Sequence, residues 1–83
     1  MVFSKGCLVR SKAGRDKTRT LAVMAVEGQM LLLADGNLRS LARPKRKKMR
    51  HVAPTATVLG NELLQSDQQL SKAIAAFDAV SPV

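Results

Sequence analysis

Residues 18–36, TRTLAVMAVEGQMLLLADG, hold the decision between an α and a β fold. One continuous helix through residues 18–34 competes with a hairpin. Gly28, the β-branched residues and the Asp35-Gly36 pair favour the hairpin. TRTLAVMAVE then reads as a long strand, Glu27-Gly28-Gln29 as a tight reversal and MLLLA as the return strand. Asp35-Gly36 is a second hairpin signal, because a type I′ turn needs positive φ at its centre.

Working outward, KGCLVRSK reads as a short strand opened by Gly6, and AGRDK as a turn around Gly14. Downstream, NLRSLA reads as a fourth short strand. A basic loop, residues 42–50, follows and is broken by Pro44, which disfavours helix just before it. MRHVAP reads as a last short strand ended by Pro54. Five short strands with tight turns predict a small antiparallel barrel over residues 1–56.

The remainder changes character. Residues 57–65 form a connector; within TATVLGNELLQ a strand end, a linker and an extra helical turn all fit. Ser66 followed by Gln69 resembles a capping box. Leu70, Ala73, Ile74 and Phe77 then fall on one stripe of an amphipathic helix, predicted from about 67 to 79 within a segment 66–80. LAVMAV and LLL are apolar at both parities, whereas a strand with one wet face alternates. Something must therefore cover the outer face of the hairpin. The helix is expected to dock there, the alternative being that it packs on a partner.

Charge is divided as unevenly as hydropathy. The chain has 83 residues and a net charge of +8. Residues 1–51 carry 13 of its 14 Lys and Arg and 3 of its 6 acids. A polyanion is the expected partner, bound by the first two thirds of the chain. Two clusters offer phosphate contacts: Arg10, Lys12, Arg15, Lys17 and Arg19 at the first turn, and Arg39, Arg43, Lys45, Arg46, Lys47, Lys48 and Arg50 in and beside the loop. Trp and Tyr are absent, and the two aromatics are Phe3 and Phe77. Sheet-face readers of single strands need aromatic platforms, so backbone and shape recognition is expected.

Other chemistries find little support. One cysteine, Cys7, excludes an internal disulfide framework and a Cys-based zinc cluster. The acids are scattered, and no Ser–His–acid set, phosphate-binding Gly loop or metal-ligand spacing is present. Neither an enzyme, a cofactor, a metal site nor a small-molecule substrate is expected. The start, MVFSKGCLVRSK, has no apolar segment before its charges, and no apolar run reaches the length of a membrane span. A reducing, cytoplasmic setting is expected, with no membrane partner.

KGCLVRSKAGRDKTRTLAVMAVEGQMLLLADG, residues 5–36, resembles a KOW motif, the strand–turn–strand unit of ribosomal proteins and certain transcription factors. Gly6, Val9, Gly14 and Lys17 carry the match, with basic residues in AGRDKTR. The whole chain resembles short bacterial KOW-domain RNA-binding proteins, akin to archaeal and eukaryotic large-subunit ribosomal proteins. The resemblance implies an SH3-like barrel of about five strands with a C-terminal helix. It also implies RNA contact by the first turn, at Lys12, Arg15, Lys17 and Arg19. KOW units often carry Gly after the turn's Lys; here Thr18 stands there, and Thr resists positive φ, so a differently shaped turn is expected.

The leading expectation is thus a module that binds structured RNA, ribosomal RNA above all, with ribosomal proteins as a secondary partner. The alternative is an SH3-like adaptor in a transcription or translation complex. Sequence-tolerant DNA binding is a third reading.

Overall fold

The computed structural model describes residues 3–14 and 17–80. Its first strand, β1, is Cys7–Ser11, and the decisive stretch is a hairpin of β2, Thr20–Glu27, and β3, Met30–Ala34. Glu27 pairs with Met30 across a two-residue turn. β4 is Lys45–Lys48 and β5 is Val52–Val58, separated by a 3-10 turn, Met49–His51. All five strands form one antiparallel sheet in the order β4-β3-β2-β1-β5. A second 3-10 turn, Asn61–Leu64, leads to the helix α1, Asp67–Val80. The architecture is mainly β with one C-terminal helix. It is compatible with a small SH3-like barrel, although the sheet does not close: β4 and β5 are its two edges.

Two irregularities curl the sheet. Val23 opposes Leu33 and Ala25 opposes Leu32, which leaves Met24 as an extra residue in β2. Such a bulge bends its strand and increases the local twist. A second register shift lies between Cys7 and Val9 against β5. There the Thr55 hydroxyl donates to the Leu8 carbonyl at 2.8 Å, satisfying an acceptor inside the disturbed ladder.

The apolar residues of both parities now have separate destinations. Cys7, Val9, Leu21, Val23, Leu31, Leu33 and Val52 form a core on the inner face of the curl, with Phe3 and Met49 packed against it. On the other face Leu8, Ala22 and Ala34 meet Leu64, Leu70 and Ile74, flanked by Met24, Leu41, Leu59 and Phe77. α1 therefore covers the outer face through the predicted stripe. Its start is capped as expected: the Ser66 hydroxyl accepts from the Gln69 amide at 3.1 Å.

Four expectations are corrected between residues 35 and 58. NLRSLA is not a strand. Its backbone amides are taken by carboxylates: Asp35 Oδ1 accepts from Asn37 at 2.8 Å and from Arg39 at 2.9 Å, and Asp67 Oδ1 accepts from Leu41 at 2.7 Å. Side-chain acceptors of this kind replace a ladder. Nor is Asp35-Gly36 the centre of a hairpin. Gly36, at φ +77°, instead lets the loop lie against α1: a β-carbon there would stand 2.2 Å from the Asp67 carbonyl oxygen. Finally, the basic loop 42–50 contains β4, which pairs with β3 from Met30↔Lys48 to Leu33↔Lys45. MRHVAP is a 3-10 turn followed by the start of β5, which runs on past Pro54 to Val58.

Candidate nucleic-acid interface

The strand geometry of β4 sorts its four cations. Successive side chains in a strand point to opposite faces. Arg46 and Lys48 are exposed, Lys45 is half-buried, and Lys47 retains 8% of its accessible surface. Arg46 reaches Glu27 beside the β2–β3 turn, with Nη2 2.8 Å from Oε1. Lys47 runs inward, opposite Leu31, and its Nζ lies 3.4 Å from where a β-carbon on Gly14 would sit. The basic run is thus one strand with two different faces.

That strand adjoins the first turn. The Lys12 amide donates to the His51 carbonyl at 2.8 Å, which ties the turn to the 3-10 turn between β4 and β5. Lys12, Lys17, Lys48 and Arg50 are all exposed in these joined segments. Gln29, Lys48, Met49 and Arg50 line a shallow depression of about 220 Å3 beside them. Arg43 is exposed in the segment leading into β4. Arg15 lies outside the described residues.

Two other predicted contacts, Arg10 and Arg19, face acids. Arg10 Nη2 lies 3.7 Å from Asp78 Oδ1 on α1, and its guanidinium carbon is 5.8 Å from the Phe77 ring centre. The same carboxylate oxygen accepts from the Thr20 hydroxyl at 2.7 Å. Arg19 Nη1 lies 3.9 Å from Asp35 Oδ2. Arg39 is half-buried and engaged within the protein. A polar cleft of about 320 Å3 separates the start of β2 from α1, lined by residues that include Arg19, Thr20, Asp35, Asn37, Ser71 and Asp78. This side clasps the helix with mixed charges.

Sequence reasoning counted cations correctly but missed their partners. Glu27 and Asp35 stood among three acids in a basic segment, which was a signal that some of the charge is spent internally. Asp78 gave no such signal, because its partnership with Arg10 spans almost the whole chain.

Thr18 also departs from expectation. It takes φ +73°, the conformation that Gly would adopt more readily, and its amide donates to the Ser11 carbonyl at 2.9 Å. The turn keeps a left-handed residue at this position and carries strain there.

Among the described residues, no group of three or more His, Cys, Asp and Glu could hold a metal, and no helix is long and apolar enough to cross a membrane. No protein-family model matches the chain, and the search of curated proteins returns no match.

Proposed function

We propose that the protein binds structured RNA through its phosphate backbone, in the cytoplasm and in association with the ribosome. The observation that carries this reading is the junction of the first turn with the β4–β5 connection. It brings the exposed Lys12, Lys17, Lys48 and Arg50 into adjoining segments. Three of the six acids, Asp35, Asp67 and Asp78, belong to α1 or the loop laid against it. The resemblance of residues 5–36 to a KOW motif supports RNA over other polyanions, and ribosomal RNA in particular. The lack of Trp and Tyr favours contact with backbone and shape.

Equilibrium binding to a folded ribosomal RNA hairpin across a salt series tests the proposal. Each phosphate neutralised contributes about 0.7–0.9 to the log–log slope, so four exposed cations give a slope of about −3 to −4. A slope near zero, or no RNA recovered after crosslinking in cells, refutes it. Competition with duplex DNA separates folded RNA from a sequence-tolerant DNA binder. An adaptor keeps its protein partner when Lys48 and Arg50 are neutralised; an RNA binder loses most of its affinity.

A further inference from the structure

We infer that Lys47 is a positioning residue, a brace inside the first turn rather than a phosphate contact. The inference rests on the RNA-binding reading above and divides its cations into those that touch RNA and one that prepares the surface. Lys47 has neighbours on both sides in β4 that are exposed, yet it is 8% exposed itself. It is also engaged within the protein. Its stem leaves β4, an edge strand of an open sheet, and carries Nζ to Gly14. A lysine can bury four methylenes along apolar surface while its ammonium reaches a polar site. Here the ammonium ends beside Gly14, inside the turn.

The turn has reason to need a brace. Thr18 holds φ +73°, a conformation that costs a residue with a β-carbon. A strained conformation persists only where its surroundings over-determine it. The turn is tied at its base, by Ser11 N to the Arg19 carbonyl at 3.0 Å and Lys12 N to the His51 carbonyl at 2.8 Å. Further out, Lys17 N meets the Gly14 carbonyl at 3.2 Å. Lys47 meets this outer part from the far edge of the sheet. A turn held before binding spares the ordering entropy that a loose turn loses on meeting RNA.

A contact and a brace respond differently to salt. Removing a phosphate contact lowers the log–log slope by about 0.7–0.9, whereas removing a brace weakens binding equally at every salt concentration. The test uses the full chain as Lys47→Met, Lys47→Arg and Lys48→Met, with the same RNA hairpin. Lys47→Met is expected to weaken binding about tenfold with the slope unchanged. It should also speed amide exchange at Lys12, Gly14 and Lys17 by about tenfold, leaving Val23 and Leu33 protected. Lys47→Arg should restore much of that protection. Lys48→Met should lower the slope by about one and leave exchange alone. A slope lowered by about one in Lys47→Met, or unchanged exchange in the turn, overturns the inference.

Acetylation footprinting of the wild-type protein covers the case in which Lys47→Met fails to fold. Lys47 should react slowly in the free protein, and Lys12, Lys17 and Lys48 fast until RNA is added. Fast reaction of Lys47 in the free protein also overturns the inference. If the wild type does not bind RNA, the functional reading fails while exchange still tests the brace. If RNA binds but the brace experiments fail, only the role of Lys47 is lost.

Discussion

The two polar regions of this small domain use the same residue types for opposite ends. Along α1, Arg10 and Arg19 lie against Asp78 and Asp35, and their charge is balanced within the fold. At the first turn and the β4–β5 connection, Lys12, Lys17, Lys48 and Arg50 remain exposed. A count of cations treats the two regions as one. The difference lies in what each cation faces, and tertiary structure decides that. Weak surface pairs add little stability singly. The helix side gains from combining them with Thr20, Phe77 and a close backbone approach at Gly36.

The largest expected effect breaks the helix side outright. Gly36→Ala combines positive φ with a clash against the Asp67 carbonyl, and nearby the Ser71 amide nitrogen would lie 2.9 Å from the new carbon. A loss of about 3 kcal/mol or more is expected in urea unfolding. An unchanged midpoint would show that the loop does not rest on α1.

Arg10→Met sharpens the contrast at smaller scale. It removes the Asp78 pair and the contact with Phe77 but keeps an apolar stem. Stability should fall by about 1 kcal/mol, with the salt slope of RNA binding unchanged. A slope lowered by about one would move Arg10 to the RNA-contacting set.

Thr18→Gly is the mildest change and acts on the turn itself. Glycine relieves the left-handed strain but adds freedom to the unfolded chain, so a gain of about 0.5 kcal/mol is expected by thermal unfolding. A clear loss would mean that the threonine side chain supports the turn in a way its backbone geometry does not reveal.

What could be read from the sequence follows the range of the forces involved. The β2–β3 hairpin was legible because Gly28 and the apolar residues around it act locally. The helix was legible from Ser66, Gln69 and the Leu70–Ile74–Phe77 stripe, and its docking from apolar residues that had no other cover. The loop after Asp35 was not legible, since an amide of Leu41 is satisfied by Asp67, far along the chain. β4 was hidden by composition: four consecutive cations carry no hydrophobic alternation, and pairing with Met30–Leu33 alone makes them a strand. The site was legible in residue type only. Strand parity separates Arg46 and Lys48 from Lys47, and that parity appears once the strand is known.

The sheet order also dictates when the domain can be completed. The β2–β3 hairpin joins neighbours in sequence, so its loop closes at little entropic cost as soon as both strands exist. β1 must wait. One of its partners is β2, but the other is β5, which lies beyond β3, the loop and β4. Contacts of such long span slow folding, because a long segment must close before the pairing rewards it. During synthesis the β2–β3 hairpin can stand early. The inner core lacks Val52, and the outer core lacks Leu70 and Ile74, until the last third of the chain has emerged.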